Sequence, residues 1–372
     1  MNLNAPTFKL SELQEDLRGL VKEIIEKYCQ DDRIAVLDAE PGSWDTELYD
    51  ALVEAGVLAA VIGDEDEPGM GNVGLLHTLV EAGRGLARTP LVPTAVAGLA
   101  LAAAGRQAEV DAVTEGDMTV ALALPERLHS VKLTNGQIQG SVGLIHSGKQ
   151  VSHFIVAADN GTLYLMPSTL DGIRTVDTGF SYVDNVAATI DVPVDQTIEL
   201  QYIHRDFIEQ RWQTALSGFV LGACQEAVDR TATYTSERKQ FGATLSAKQA
   251  VLLQAADAYI DTDCVFLTAL DAASRLDSED SAAETAVAVA AWWANDAGFR
   301  IVHTTQHLHG GMGADRDNHI HRFFVFVREA SLVLGASDDL LNRIGASIAN
   351  QSQNMTVSVQ QNNSMSETVG AL

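Results

Sequence analysis

The feature that most constrains the fold of this 372-residue sequence is the order of its hydrophobic periodicities. Residues 1 to about 115 carry apolar residues at helical spacing, as in LSELQEDLRGLVKEIIEKY, which opens with Ser11 as the expected helix cap and Glu15 nearby. From about 117 to 203 the pattern changes to short β-branched runs such as VKLTNGQIQGSV and GTLYLMP. From about 205 to 350 four long helical stretches follow, the last running on towards Arg343. Because strands and helices do not alternate, the pattern argues against a doubly wound nucleotide-binding fold.

These three blocks predict a mainly α fold with a central β domain. We expect an N-terminal helical domain at 1–116, a β domain at 117–204, a C-terminal helical bundle at 205–350 and a polar, disordered tail at 351–372. Within the β domain, the Asn-Gly pairs at 135–136 and 160–161 predict hairpin turns.

The charge balance limits the partners of this chain. It has 24 Lys and Arg against 50 Asp and Glu, a net charge of −26, which disfavours both nucleic acid and anionic lipid as partners. No stretch approaches the roughly 20 apolar residues of a membrane helix, and the start lacks the layout of a signal peptide, so we expect the cytoplasm. The three cysteines lie far apart without the spacing of a metal or redox site.

The stretch GMGNVG, Gly69 to Gly74, matches the pattern G-x-G-x-x-G of dinucleotide-binding loops. In such a loop a buried strand comes first, and a pyrophosphate lies against the N-terminus of the next helix. Here the motif stands in the helical block, directly after the acidic run from Asp64 to Glu67, which would repel a pyrophosphate. About twenty residues on, where a ribose-binding acid is expected, the sequence reads LARTP. We therefore interpret the stretch as a Gly-rich turn.

Several motifs, in matching order over most of the chain, resemble those of the acyl-CoA dehydrogenase family. The run DEDEPGMGNVGLLHTLVEAGRGLARTPLVPTA is similar to that family's Gly-rich loop, helix and "TP" turn. SERKQFGATLSAKQAV resembles R-x-x-F-G followed by Gln, and QHLHGGMGADRDNHIHRFF resembles the H-G-G-x-G region. The resemblance implies the family's fold: an N-terminal helical domain, a middle β-barrel and a C-terminal four-helix bundle, assembled as a tetramer or dimer of dimers.

The resemblance also implies a reaction and a cofactor. Family members oxidise an acyl-CoA thioester: a carboxylate removes the α-proton while hydride leaves the β-carbon for N5 of FAD. The flavin ring lies in one subunit's cleft, between barrel and bundle, and the adenine and pyrophosphate reach motifs of the neighbouring subunit. By this match the cofactor-binding candidates of this chain are Arg238 for the pyrophosphate, Phe241 near the adenine, Gln249, His307 where the family usually has Gln, and Gly310 and Gly311 for close backbone approach.

The motifs that a subunit would use for its own flavin are degraded. The family's T-E-P-x-A-G-S-D corresponds to LPERLHS at 124–130, and G-x-K-x-W-I-T corresponds to GSVGLIHS at 140–147. One branch of the family carries its catalytic Glu where this chain has Leu334. Another branch carries it 26 residues before the motif's arginine, where this chain has Trp212, followed by Gln213. Since neither Leu nor Trp accepts a proton, we predict no catalytic residue in this chain.

This pattern predicts the non-catalytic subunit of a heteromeric acyl-CoA dehydrogenase, which lends half of an FAD site to a catalytic partner chain. It resembles bacterial α2β2 assemblies that act on steroid side-chain CoA thioesters. The partners implied by the resemblance are a related catalytic subunit, an acyl-CoA substrate and an electron-transfer acceptor.

Three other interpretations stay open. The chain could be a self-sufficient homo-oligomeric dehydrogenase with a relocated base, of which Glu209, Asp338 and Asp339 are candidates. It could also be a non-enzymatic scaffold for assembly. A metal site is disfavoured, because His303 and His307 have zinc-like i, i+4 spacing but only TTQ between them.

Overall fold

The structure, a computed structural model, describes residues 10–39, 43–64, 67–126, 128–179, 184–240 and 242–349. Two predictions fall outside the described residues: the adenine contact of Phe241 and the polar tail at 351–372. The acidic run before the Gly-rich stretch is described only at Asp64 and Glu67.

Seven helices form the N-terminal part of the chain. They are α1 (Glu12–Tyr28), α2 (Asp31–Asp38), α3 (Thr46–Glu54), α4 (Val57–Ile62), α5 (Gly71–Arg84), α6 (Leu91–Ala103) and α7 (Gln107–Thr114). Ser11 caps α1 as expected, but its reciprocal partner is Gln14 rather than Glu15. The Ser11 hydroxyl accepts from the Gln14 amide at 3.2 Å, and the Gln14 side chain accepts from the Ser11 amide at 3.0 Å.

Eight strands follow and pair into two four-stranded sheets. They are β1 (Val120–Ala123), β2 (Val131–Thr134), β3 (Gln137–Ile145), β4 (His153–Ala157), β5 (Leu163–Pro167), β6 (Ile173–Asp177), β7 (Val186–Pro193) and β8 (Ile198–Leu200). One sheet has the order β1-β4-β5-β8 with β1 parallel to β4, and the other has the antiparallel order β2-β3-β7-β6. The Asn135-Gly136 pair forms the predicted two-residue hairpin between β2 and β3, with φ of 51° and 77°.

The first sheet is buried on both faces, which explains its nearly continuous apolar sequence. Along β4, Phe154 and Val156 pack into the core shared with the second sheet, whereas Ile155 and Ala157 pack into the core shared with the helices. The β domain is thereby fixed against the helical domains through alternate residues of the same strand.

The C-terminal part is a bundle of long helices. They are α8 (Arg205–Glu237), α9 (Gln249–Asp277), α10 (Ala283–Leu308), α11 (Ile320–Leu334) and α12 (337–349), with a two-stranded ribbon of β9 (Lys239–Gln240) and β10 (Ala243–Thr244) between α8 and α9. The expected continuous helix towards Arg343 is wrong. Gly335 has a φ of 106°, which ends α11 and starts α12 in a new direction.

Close approach of α5 and α8 joins the N-terminal helices to the bundle. A Cβ at Gly83 would overlap the Phe219 carbonyl, and a Cβ at Gly222 would overlap that of Val80. The architecture confirms the predicted fold class, mainly α with a central β domain. In the described part of the chain, the helices lack the combination of length and apolar character needed to cross a bilayer.

Candidate functional site

The sequence-predicted residues divide into two groups along α8. Trp212, one of the two positions for a base, lies in the N-terminal half of this helix, and Arg238 follows directly after its last residue. Because a helix rises about 1.5 Å per residue, the two positions are roughly 39 Å apart. They therefore cannot serve the same reacting atoms within one chain.

One group meets at a single end of the bundle, which we call the bundle-end surface: Arg238, Gln249, His307, Gly310 and Gly311. Helices α8 and α10 end here and α9 begins here, because each of these three packed helices runs antiparallel to the one before it. All five residues are exposed. The structure therefore brings together the candidates that it describes, on the outside of the chain rather than in a cleft.

Arg238 has the properties of a cation available to an external ligand. It is exposed, and among the described residues its guanidinium has no carboxylate within ion-pairing distance. Its backbone is held on both sides, since its amide donates to the Tyr234 carbonyl and its carbonyl accepts from the Leu245 amide, each at 2.9 Å. A fixed backbone with a free side chain suits charge-assisted bonding to a phosphate.

The turn after α10 presents open backbone beside this arginine. Gly310 has a φ of 61°, and a Cβ at either Gly310 or Gly311 would meet no atom within 4 Å. His307 is exposed, whereas the side-chain amide of Gln306 donates to the Gly313 carbonyl at 3.0 Å. Gln306 is therefore used inside the turn, and His307 stands at the family's Gln position. These features fit the anionic end of FAD.

The other group lies in the cleft, the region between the β domain and the N-terminal half of α8. Trp212 is 6% exposed and packs edge-on against His146, with ring centroids 5.5 Å apart. His146 is buried too, and burial lowers its pKa to about 4, so the ring is neutral at pH 7. Two rings of this chain thus pack against each other where the β domain meets the N-terminal half of α8.

The two degraded motifs fold onto each other beside this pair. The Gly143 amide donates to Glu126 Oε2 at 3.2 Å, and a Cβ at Gly143 would overlap the His129 ring. Glu126 and His129 of the first motif therefore contact the second motif. The family's aromatic ring and ring-facing hydroxyl are missing from their positions in GSVGLIHS, so these positions do not fit an isoalloxazine ring.

Both positions for a base are apolar and buried. Leu334 is 1% exposed and Trp212 is 6% exposed, in the same hydrophobic core. The α11 helix packs antiparallel to α8, because Phe323 lies beneath the Arg230 guanidinium and Phe326 contacts Phe219. Its C-terminal residue Leu334 is consequently carried towards the cleft, where a proton acceptor would be needed.

Glu209, the candidate relocated base, is held by two arginines. Its Oε2 accepts from Arg205 Nε at 3.0 Å, and its Oε1 lies 3.4 Å from Arg343 Nη1. Arg205 also donates to the Pro125 carbonyl of the β domain at 2.8 Å. Sequence reasoning missed this clamp because Arg343 is 134 positions away in the chain.

The other two candidate bases lie on α12, and Asp338 is exposed there while Asp339 is partly buried.

The Gly-rich stretch does bind an anionic group at the N-terminus of a helix, but this group is a carboxylate of the same chain. Asp277, at the end of α9, accepts from the Asn72 and Val73 amides at 2.7 and 2.9 Å. The Asn72 side-chain amide also donates to it at 2.7 Å. The amides that would hold a pyrophosphate are therefore already bonded. Asn72 and Val73 belong to the first turn of α5, so the second half of the stretch is helical rather than the turn that the sequence predicts.

The histidines near the end of α10 have other neighbours than a metal ion. His303 contacts the rings of Phe299 and Phe324, and His309 Nδ1 lies 2.8 Å from the Thr305 carbonyl. Across the ranges that the structure describes, no three His, Cys, Asp or Glu side chains are grouped as metal ligands.

Comparisons with known proteins identify the family of this chain. The family described as "Acyl-CoA dehydrogenase, C-terminal domain" matches residues 200–349. "Acyl-CoA dehydrogenase FadE28" of Mycobacterium tuberculosis is 31% identical over 314 residues, covering 80% of this chain and 91% of the relative.

Two solved structures are also similar over most of the chain. The ChsE4–ChsE5 complex from Mycobacterium tuberculosis matches with a TM-score of 0.84 and 27% identity, covering 92% of this chain and 99% of that chain. A Tcur3481–Tcur3483 steroid ACAD matches with a TM-score of 0.80 and 28% identity over the same shares, 92% and 99%. With its helical domains, packed sheets and full-length relatives, this chain belongs to the acyl-CoA dehydrogenase family, whose cofactor is FAD.

Proposed function

We propose that this chain is the subunit without a catalytic base in a heteromeric acyl-CoA dehydrogenase, and that it lends the bundle-end surface to the FAD of a related catalytic subunit. The observation that carries the proposal is the contrast along α8. Trp212 and Leu334 replace the base and are buried, whereas Arg238 is exposed and, within the described ranges, lacks an ion-pair partner.

When bound, FAD would supply the hydride acceptor of the reaction. The guanidinium of Arg238 would bond the pyrophosphate, and the open backbone of Gly310 and Gly311 would allow the nucleotide close contact. The partner subunit supplies the base and the flavin cleft. The relatives support a heteromer, since the solved structures of similar chains include a ChsE4–ChsE5 complex and a Tcur3481–Tcur3483 pair.

The substrate class follows from one of these relatives. Because the Tcur3481–Tcur3483 structure is described as a steroid ACAD, we propose a CoA thioester of a steroid side chain as the substrate of the assembly. An electron-transfer acceptor would reoxidise the flavin.

The structure favours this proposal over a self-sufficient enzyme. A general base must present a free oxygen to the α-carbon, and both Glu209 oxygens face arginines. A pure assembly scaffold has no need of an unpaired arginine on the bundle-end surface, so the surviving Arg238 argues against that alternative.

The test is to tag this chain, purify it with its native partner and count flavins per subunit. We expect fewer flavins than subunits in the complex, and little flavin or activity in the chain alone. Arg238→Ala should lower the flavin content of the complex, whereas Arg174→Ala, which removes an exposed arginine from β6, should not. A single chain that holds stoichiometric flavin and oxidises an acyl-CoA would refute the proposal.

A further inference from the structure

Two aromatic rings join the helix that ends at Arg238 to the turn that carries Gly310 and Gly311. Tyr234, in the last turn of α8, stacks on His309, with ring centroids 4.3 Å apart and planes inclined by 17°. His309 is 6% exposed and directly precedes the turn. The stack therefore connects the end of α8, which carries Arg238, to the turn that carries Gly310 and Gly311.

Both residues are also hydrogen-bonded within the element that carries them, His309 through its ring and Tyr234 through its backbone carbonyl. The His309 Nδ1 lies 2.8 Å from the Thr305 carbonyl; because a carbonyl only accepts, Nδ1 carries the proton and the ring is fixed in one tautomer. The Tyr234 carbonyl accepts the Arg238 amide at 2.9 Å, which fixes the backbone from which the guanidinium extends.

A third contact reaches across the stack. The Tyr234 hydroxyl donates to Met312 Sδ at 3.8 Å, and Met312 lies in the turn between Gly311 and Gly313. Tyr234 thus bonds to Arg238 through its backbone and to the turn through its side chain. Both contacts are made between residues of this chain itself.

We propose that Tyr234 and His309 are positioning residues, which hold the end of α8 that carries Arg238 and the open turn at a preset separation for the anionic end of a partner's nucleotide. This inference rests on the proposed function. The physical reason is preorganisation: without the stack, the end of α8 and the glycine turn would lose freedom of movement relative to each other when the ligand binds, which weakens binding.

The experiment measures FAD binding to the deflavinated complex of this chain with its partner, by the change in flavin fluorescence. Tyr234→Leu removes the stack and should raise the apparent Kd for FAD about tenfold. Tyr234→Phe retains the stack and should stay within about twofold of the wild type, because only the weak contact to sulfur is lost. At saturating FAD, kcat should be unchanged in both variants, since neither side chain touches the reacting atoms.

Two further variants keep the result decisive. Tyr202→Leu removes a tyrosine that is 90% exposed and should leave the Kd unchanged. If Tyr234→Leu fails to assemble, His309→Leu removes the same stack from the other side and should give a similar rise in Kd.

The outcomes separate the two proposals. If Arg238→Ala weakens FAD binding while the complexes carrying the leucine variants bind FAD like the wild type, the positioning role is wrong and the proposed function stands. If Arg238→Ala also leaves the Kd unchanged, the proposed function fails and this inference fails with it. A loss of heat stability in Tyr234→Leu without a change in Kd would likewise overturn the positioning role.

Discussion

Replacement of Glu209 by Gln separates the two enzymatic interpretations of this chain. In the self-sufficient interpretation, Glu209 is the base, and its loss should lower kcat by at least about 100-fold, the lower end of what general-base removal costs. In our proposal the partner supplies the base, so the complex carrying Glu209→Gln should retain kcat within about twofold of the wild type.

The structural cost of the same change follows from the two ion pairs. The side chains of Glu209, Arg205 and Arg343 are 25%, 30% and 35% exposed, so the pairs are partly screened by water. Such pairs contribute about 0.2–1 kcal/mol each, which gives a total of about 1 kcal/mol. The corresponding decrease in Tm is about 1–2 °C for a chain of 372 residues.

Glu226→Gln provides a matched control on the same helix. Glu226 also contacts two arginines, with Arg230 at 2.9 Å and Arg84 at 2.8 Å, and its side chain is 21% exposed. It lies 17 residues further along α8, about 25 Å from Glu209. Both variants should therefore lower Tm by a similar amount.

The assay is steady-state acyl-CoA oxidation by the purified complex, with thermal unfolding of the same samples. A 100-fold loss of kcat in Glu209→Gln, with Glu226→Gln active, would refute our account and place the base in this chain. Equal small shifts of Tm with unchanged kcat are the expected result.

Three further predictions concern stability and are measured by unfolding of the purified complex. Asp277→Ala should cost about 2 kcal/mol, because it removes the capping carboxylate of α5, and Asp277→Asn should cost less; equal costs for the two variants would contradict a charge-assisted cap. Gly222→Ala should cost about 3 kcal/mol, because its Cβ would overlap the Val80 carbonyl of α5, whereas Gly19→Ala, with open space around it, should be neutral or stabilising. The pKa of His146 is depressed to about 4, so between pH 6.5 and 4 the unfolded chain takes up a proton that the folded chain does not, and stability should fall by up to about 3 kcal/mol as the pH is lowered. His146→Phe should flatten this part of the pH profile, and an unchanged profile would show that the buried ring is not responsible.

Much of the fold was predictable because its signals are local. The change of periodicity near residue 117 and the Asn135-Gly136 turn depend on neighbours a few positions away, and the structure places strands and a hairpin there. The end of α11 was missed for an equally local reason. Gly335 interrupts an otherwise helical pattern, and an isolated glycine does not by itself reveal a positive φ.

The contacts that decide the candidate site were not predictable, because they join residues far apart in the chain. Asp277 caps a helix that begins about 200 residues earlier, and the stack of His146 on Trp212 joins the β domain to the bundle. No spacing rule reaches over such distances. The apolar identities of Trp212 and Leu334 are visible in the sequence, but their burial is not.

The sequence by itself determined which residue types stand at the positions that the family resemblance singles out. An arginine and two glycines stand at the positions implied for nucleotide binding, and no acid stands at either position implied for a base. Tertiary structure alone decided the surroundings of these residues. Packing left Arg238, Gly310 and Gly311 exposed at one end of the bundle and buried Trp212 against His146, because burial and pairing depend on which helix or strand lies opposite.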